Sequence, residues 1–505
     1  MKNWRRFLYL FVGLLVLIAL LLVWATQFAP PRFRVNTPVQ AIFGGIQADE
    51  QQLKQRLTAP PGFTISLYAG GITNARVLRF TQTGDLLVST PRNGQIILLE
   101  RDANGDGHAD RTRVLIDSLN RPHGIDFHND WLYIAESNGF GRIRFDHQTG
   151  QTIGSYQPLV TDIPDNGNHW TRTIRIGPDN KVYLSVGSSC NVCEELDPRR
   201  AAMLRYELDG TGFEIFASGL RNSVGFDWSP IDGHIYATDN GRDLLGDEFP
   251  PDELNRVEQG QFYGWPYAHG DRIADPEFGP GHAETITGST PSAHNFRAHN
   301  APLGMEFLTH EGIPKQYQGS ALVALHGSWN RTTKDGYKVV ALRWSDQEES
   351  TRSIEEYDFV TGFEQDGHVI GRPADVRQGS DGAIYISDDF ANAVYRVAWG
   401  ETSTKTNPQP ITKQPLPKPE QMDINHEQTN ADYRAGKVLY QQHPCAECHE
   451  PAQAQTASIP LNDLSNRYTL DSMQQFLQTP TPPMPTFPLT ADQRRQLATY
   501  LLIKY

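Results

Sequence analysis

From about Gly62 to Trp399 the chain repeats one pattern: an alternating apolar strand, a tight turn with Gly, Asn or Asp, then an aromatic-rich strand. Leu78-Arg79-Phe80 passes through Thr83-Gly84-Asp85 to Leu86-Leu87-Val88-Ser89. Equivalent pairs join Ile125–Phe127 to Leu132–Ala135, Ile174–Ile176 to Val182–Ser185, Val224–Phe226 to Ile235–Ala237, and Val376–Gln378 to Ile384–Ile386. A weaker copy joins Gly304–Phe307 to Leu322–Ala324. Six like units predict a mainly β protein, a six-bladed β-propeller. A β-sandwich is the alternative, but it rarely needs six similar units over this length. The polar, Pro/Gly-rich stretch from Phe249 to Thr290 reads as an insertion between blades on the functional face.

The pattern changes at both ends. Lys2, Arg5 and Arg6 precede an uncharged run from Phe7 to Thr26, long enough to cross a bilayer. Positive charge stays inside, so the remainder is expected on the periplasmic side of a bacterial inner membrane. A cleaved signal peptide is the rival, but Trp24-Ala25-Thr26-Gln27-Phe28 is a poor small-residue cleavage site, and Trp24 suits an interfacial anchor. The expected division is a transmembrane anchor at 1–28, a connecting segment at 29–59, the propeller at 60–400, a linker at 401–425 and a small all-α domain at 426–505. Pro408, Pro410, Pro415, Pro417 and Pro419 make the linker extended and semi-rigid. Helices are expected over Asp432–Gln442, Asp471–Gln478 and Thr490–Leu502.

A net charge of −14 over 505 residues argues against nucleic acid as a partner. Four cysteines are too few for a disulfide scaffold. Two of them stand in Cys445-Ala446-Glu447-Cys448-His449, the C-x-x-C-H signature of a c-type haem. Both thiols add to the haem vinyls and His449 supplies an axial nitrogen to iron. Met484, in Thr481-Pro482-Pro483-Met484-Pro485, supplies the second axial ligand. A redox dithiol or half a zinc site is the blander reading, and no second Cys pair lies nearby to support it. Covalent haem attachment takes place outside the cytoplasm, in agreement with the N-terminal run. In that oxidising compartment Cys190 and Cys193 are expected to close a small disulfide loop, since no βαβ pattern surrounds them to suggest a thioredoxin-like motif.

Propellers place ligand sites at the mouth of the central channel. Three polar clusters fall at strand ends: Asn168-His169-Trp170-Thr171-Arg172; Gly219-Leu220-Arg221-Asn222 with Asp239-Asn240-Gly241-Arg242; and His326-Gly327-Ser328-Trp329-Asn330-Arg331 with Arg372. Arg76 and Arg79 add cations at the first blade. A His in a polar loop can take a proton from a hydroxyl, although a satisfied structural His has the same look. Converging arginines make a carboxylate site; scattered, they are solvated surface charges. The loop with Asp102, Asn104, Asp106 and Asp110 reads as D-x-N-x-D-G-x-x-D, but Arg113 occupies the place of the EF-hand Glu. A structural Ca²⁺ turn and a metal-free hairpin fit it equally well.

Together these motifs resemble the quinoprotein glucose/sorbosone (pyranose) dehydrogenase family, over roughly Pro60 to Trp399. The resemblance rests on Asn168-His169 with Gly177-Pro178-Asp179, Gly187-Ser188-Ser189-Cys190-Asn191-Val192-Cys193, Gly219-Leu220-Arg221-Asn222, Asp252-Glu253-Leu254-Asn255 with Tyr263-Gly264-Trp265-Pro266, and Leu325–Arg331. It implies pyrroloquinoline quinone (PQQ) held over the channel with Ca²⁺. His169 matches the family's base. Arg221 and Asn222 match residues on the cofactor's polar edge, Gly241 and Arg242 match backbone carbonyls that hold the Ca²⁺, and Arg372 matches a carboxylate-reading arginine. His326, Arg331, Arg76 and Arg79 resemble cofactor contacts of the sorbosone and pyranose branch. Asn168 and Ala374 depart from the soluble glucose enzymes, which carry Asp and Arg there.

The expectation is a periplasmic, membrane-anchored, PQQ-dependent dehydrogenase of a sugar or alditol. It passes electrons to its own haem c and on to a respiratory acceptor, a cytochrome or a quinone-linked oxidase. A Ca²⁺-dependent propeller lactonase and a non-catalytic carbohydrate-binding propeller are the rivals; a hydrolase has no need of a fused haem.

Overall fold

The computed structural model describes residues 35–38, 40–41, 44–345 and 353–400, and parts of the region from 427 to 504. The expected anchor (1–28) and linker (401–425) lie outside these residues. Among the described residues no helix is long and apolar enough to cross a membrane. The chain divides into two compact units, Met1–Thr404 and Lys405–Tyr505.

The first unit contains six four-stranded antiparallel sheets, the blades of a propeller. Blade 1 runs through Leu78–Phe80, Leu86–Thr90, Gln95–Glu100 and Arg111–Ile116. Blade 2 spans Ile125–His128 to Gln151–Val160, blade 3 Arg172–Ile176 to Glu214–Ser218, blade 4 Phe226–Trp228 to His294–Phe296, and blade 5 Pro302–Phe307 to Ile354–Val360. Blade 6 takes Pro373–Gln378, Ile384–Asp388 and Ala393–Trp399, and borrows its outer strand, Phe63–Gly70, from the start of the domain. That exchange ties the two ends of the propeller together with backbone hydrogen bonds.

All six strand pairs read from the sequence overlap the first two strands of a blade, although Val224–Phe226 shares only Phe226 with the observed Phe226–Trp228. The reason is burial. The second strands Leu86–Thr90, Val182–Val186, Ala321–Leu325 and Ile384–Asp388 are buried throughout, so they read as apolar runs. The outermost strands are solvated on one side, as in Arg111–Ile116, and carry no such signal.

One expectation is corrected. The stretch Phe249–Thr290 does not lie between blades. Its Asp252–Val257 segment is the third strand of blade 4, and the true insertion follows, before the fourth strand His294–Phe296. The polar look of Asp252-Glu253-Leu254-Asn255 misled because these side chains are buried, with Asn255 at 0% exposure.

The innermost strands converge on the axis. A Cβ on Gly225 would lie 2.2 Å from the Leu303 carbonyl of the next blade, so only glycine fits there. At one level of the axis the six blades contribute Arg79, Asp126, Arg175, Asp227, Glu306 and Arg377 in turn. Arg79 Nε meets Asp126 Oδ1 at 2.9 Å and Arg175 Nη2 meets Asp227 Oδ1 at 2.9 Å, while Arg377 Nη1 stands 3.8 Å from Glu306 Oε2. Three cations and three carboxylates thus form a neutral ring. Val224, Leu303 and Ala374 form a small apolar cluster beside a cavity of about 10 Å³, which also touches Arg76, His123 and Arg377.

In the second unit the helices are Glu427–Gln442, Leu470–Gln478 and Ala491–Lys504, close to the three expected. A Cβ on Gly436 would meet the Gln496 carbonyl, so glycine allows the first and last helices to cross closely. Cys445, Met484 and Phe487 pack on the apolar core of Leu439, Tyr440, Met473 and Leu497. The His443 and Phe487 rings, 4.9 Å apart, bring the turn that leads into the haem motif beside the segment carrying Met484. Cys448 lies outside the described residues.

Candidate active site

His169 sits in the loop before blade 3 with φ +50, a left-handed conformation that costs a residue with a side chain. Two buried guanidiniums hold the loop in it. Arg172 donates to the carbonyls of His169, Thr171 and Pro164, each at 2.7 Å, and Arg200 donates to those of Gly187 (3.0 Å) and Asn168 (3.4 Å). His169 Nδ1 lies 2.9 Å from both the carbonyl and the hydroxyl of Ser188. An Nδ1–H donated to that carbonyl leaves Nε2 as the basic nitrogen. Burial, then the nearby Arg221 charge, pushes the imidazole down to about 3. The ring is therefore a neutral proton acceptor throughout the physiological range.

Arg221 comes from the loop entering blade 4. Its backbone N–H donates to Asp239 Oδ2 (2.8 Å), and Asn222 N–H donates to the other oxygen. The guanidinium is directed by Asn191 O (2.9 Å), Asn191 Oδ1 (2.9 Å), the Asn240 carbonyl (2.9 Å) and Asp243 Oδ2 (3.3 Å). Cys190 and Cys193 are disulfide-bonded, with Cα atoms 6.2 Å apart. Asn191 and Asp243 stand inside motifs visible in the sequence, but their role in holding Arg221 shows only in the fold, which brings the loop of blade 3 against that of blade 4. Gly241 N–H donates to Asp252 Oδ1 at 2.7 Å. The Arg242 side chain is buried against Asp275 (2.8 Å) and Glu277 (3.2 Å), so only its carbonyl is available to a cation.

His326 Nε2 lies 2.8 Å from Asp389 Oδ1, and Arg76 Nη1 holds Asp389 Oδ2 at 2.8 Å. Arg372 donates to the carbonyls of His326 (3.1 Å) and Gly327 (3.0 Å). Burial and Arg372 push His326 down to about 4. Burial would raise Asp389, but His326 and the two arginines hold it far below the usual carboxylate range. Asp389 was not singled out in the sequence; only the fold brings it between Arg76 and His326.

The clusters meet around one channel mouth. Ser188 N–H donates to the Arg221 carbonyl (2.7 Å), Asn240 Nδ2 to the Pro302 carbonyl (2.9 Å), and His326 N–H to the Ala301 carbonyl (3.0 Å). His123 Nδ1, 3.3 Å from the Arg172 carbonyl, closes the circle beside Arg76. The residues fit a flat, polyanionic quinone with a divalent cation. Asn222 Oδ1 is buried without a partner. Arg76 and Arg372 retain N–H groups that no described residue accepts, and the carbonyls of Gly241 and Arg242 accept no hydrogen bond from a described residue.

Two expectations, Arg79 and Arg331, do not join this site, and the 102–110 turn is a separate candidate for Ca²⁺. Arg79 belongs to the charge ring and pairs with Asp126. Arg331 is committed to the Ala298 carbonyl (2.9 Å), Glu248 (2.6 Å) and the Asp247 carbonyl, and so fastens the loop behind the site. In the 102–110 loop, Asp102 accepts from the N–H groups of Gly105 (2.7 Å), Asp106 (3.1 Å) and Gly107 (2.8 Å), while Asp106 accepts from His108 N–H and Asp110 from Ala103 N–H and Asn104 Nδ2. Among the described residues the one convergent trio of candidate ligands is Cys190, Cys193 and Glu195, whose thiols are bonded to each other. The 102–110 carboxylates satisfy the turn's own backbone instead.

Residues 57–269 and 282–399 match the family model described as TrAA12-like, and residues 431–501 match that of cytochrome C oxidase, cbb3-type, subunit III. An uncharacterized protein of Borreliella burgdorferi is 31% identical over 74% of this chain and 98% of its own length. A pyrroloquinoline quinone-dependent pyranose dehydrogenase of Coprinopsis cinerea is 25% identical, covering 68% of this chain; the chain spans 55% of that protein. The holo form of the pyranose dehydrogenase PQQ domain from Coprinopsis cinerea superposes with a TM-score of 0.57 at 23% identity, over 68% of this chain and 97% of that one. The calcium structure of the Trichoderma reesei enzyme of Carbohydrate-Active Enzymes Family AA12 gives 0.59 at 21% identity, with the same coverage. These superpositions show a shared fold.

Proposed function

We propose that this chain, which belongs to the TrAA12-like family, is a PQQ-dependent sugar dehydrogenase that passes electrons to a haem c on its own C-terminal domain. The observation that carries this reading is the ring of groups at the channel mouth. A neutral His169, partly free Arg76 and Arg372, the directed Arg221 and the unpartnered Asn222 Oδ1 all lie in loops at the same end of the blades. A quinone cofactor bound there would supply the hydride acceptor.

The chain's own part is binding, orientation and proton handling. Arg76, Arg221 and Arg372 would read the cofactor's carboxylates. The carbonyls of Gly241 and Arg242 would hold Ca²⁺, a hard cation that favours oxygen ligands. His169 Nε2 would take the proton of the substrate hydroxyl as hydride leaves the same carbon. Ser188, by fixing Nδ1, keeps the basic nitrogen on Nε2. Cys445 and Cys448 would anchor the haem, with His449 and Met484 as axial ligands. A tethered haem raises its effective concentration near the reduced cofactor.

The substrate class in this reading is a sugar or alditol. The protein is placed on the periplasmic side of the inner membrane, held by residues 1–28, with a cytochrome or quinone-linked oxidase as the onward acceptor. The test is haem reduction: purified, haem-loaded protein is mixed with PQQ, Ca²⁺ and a panel of sugars, and the ferrous bands are followed. Reduction that needs both sugar and PQQ is expected. Failure to bind PQQ would overturn the reading in favour of a binding propeller, and lactone hydrolysis without haem reduction would favour a lactonase.

A further inference from the structure

The Cys190–Cys193 loop is a short bridge between blades 3 and 4, and its polar atoms point at site residues rather than at one another. Asn191 carries most of the load. Its carbonyl accepts from Arg221 Nε (2.9 Å), and its Oδ1 accepts from Arg221 Nη2 (2.9 Å) and from the backbone N–H of Asp243 (2.8 Å). Its Nδ2 donates to the Asp243 carbonyl at 3.1 Å. Asp243 directly follows Arg242, one of the two carbonyls assigned to the cation. On the other side of the loop the Cys190 carbonyl accepts from Ser188 Oγ (2.8 Å), and that hydroxyl is 2.9 Å from His169 Nδ1.

One loop thus touches the segments that carry the base, the guanidinium and the cation-holding backbone. Nothing in the polypeptide's secondary structure fixes it, because residues 188–200 contain no helix or strand. The disulfide across two intervening residues supplies that restraint. We propose that Asn191 is a positioning residue for Arg221 and for the backbone at Asp243, held in place by the Cys190–Cys193 bond. The role is distinct from the loop's own stability. A wall loop with no positioning function would not need every side-chain polar atom of Asn191 to be committed to two other segments.

This inference rests on the PQQ reading, and equilibrium dialysis of PQQ against full-length, haem-loaded, PQQ-free protein in the presence of Ca²⁺ tests both. Asn191→Ala is expected to raise the PQQ Kd at least about tenfold, the size of losing a charged hydrogen-bond partner. Asn191→Asp keeps the acceptor for Arg221 and for the Asp243 N–H but loses the donor to the Asp243 carbonyl, and is expected to recover part of the affinity. The Cys190→Ser/Cys193→Ser double variant is expected to fall between them, with an unfolding midpoint close to that of the parent. Wild-type affinity in Asn191→Ala overturns the positioning role while leaving the dehydrogenase reading intact. Equal loss in Asn191→Ala and Asn191→Asp also overturns it, since both changes would then act only by disturbing the loop. No PQQ binding by the parent protein sinks the functional reading and this inference with it.

Discussion

Asn222 and His169 face each other across Gly187: a Cβ added to that glycine would lie 2.5 Å from Asn222 Oδ1 and 2.6 Å from the His169 Cβ. The glycine is needed for close approach and not for its backbone angle. The imidazole proposed as the base and the unpartnered amide oxygen can share one wall of the site only because nothing stands between them. Gly187→Ala must therefore push one of them away. Turnover with sugar is expected to fall by at least about tenfold, because small misplacements of a catalytic group are costly. Steady-state kcat/KM measures this, and an unchanged value would place the reacting groups elsewhere.

His169 titrates at about 3 in the folded, cofactor-free protein, against 6.5 for a free imidazole. The unfolded chain therefore binds more protons than the folded one between these values. Stability contributed by the neutral ring is complete above pH 6.5 and is lost progressively as the pH falls. Between pH 6.5 and 4.5 the loss from this residue is about 2 kcal/mol, at roughly 1.4 kcal/mol per unit. His169→Gln should flatten that part of the acid dependence in denaturant titrations. Adding an anionic cofactor should move the His169 titration upward, since negative charge favours the imidazolium. NMR of the labelled imidazole, with and without PQQ, reads that shift directly.

The axial ring makes a stability prediction. Asp126 holds Arg79 (2.9 Å) and lies 3.5 Å from Arg175, all three largely buried. Asp126→Ala leaves the buried Arg79 without its carboxylate, while Arg175 keeps Asp227 at 2.9 Å, and is expected to cost about 3–5 kcal/mol. A urea midpoint unchanged from the parent would mean that water already reaches these groups.

The haem domain can be probed by itself through its potential. Replacing the Met484 thioether with an imidazole, in Met484→His, should lower the haem reduction potential and slow reduction by sugar without changing PQQ binding. A redox titration that leaves the potential unmoved would remove Met484 as the axial ligand.

Much of the architecture was readable in advance. The second strands of the blades announce themselves because they are buried and apolar, and the turn residues before them mark off the first strands. Among the C-terminal helices Leu470–Gln478 carries a clear amphipathic periodicity, whereas Ala491–Lys504 does not. Outer strands such as Gln151–Val160 were not readable, because they face solvent and alternate weakly. Asp252–Val257 was misread for the opposite reason: its polar side chains are buried through partners that are remote in sequence, as when Asp252 Oδ2 accepts from Ala301 N–H at 2.8 Å.

The same division holds for the site. Local motifs pointed to the candidate residues: His169, Arg221, Asn222, His326 and Arg372 in the propeller, and the Cys445–His449 run with Met484 beyond it. They did so because a reactive side chain needs a particular type of residue in a particular turn. Which charges face the site and which are neutralised was decided only by the closed ring of blades. Arg76 and Arg79 stand three positions apart on one strand entry, yet Arg76 reaches Asp389 beside His326 while Arg79 pairs with Asp126 on the axis. A charge is defined by its neighbours, and in a propeller those neighbours come from blades as far as 313 residues away along the chain.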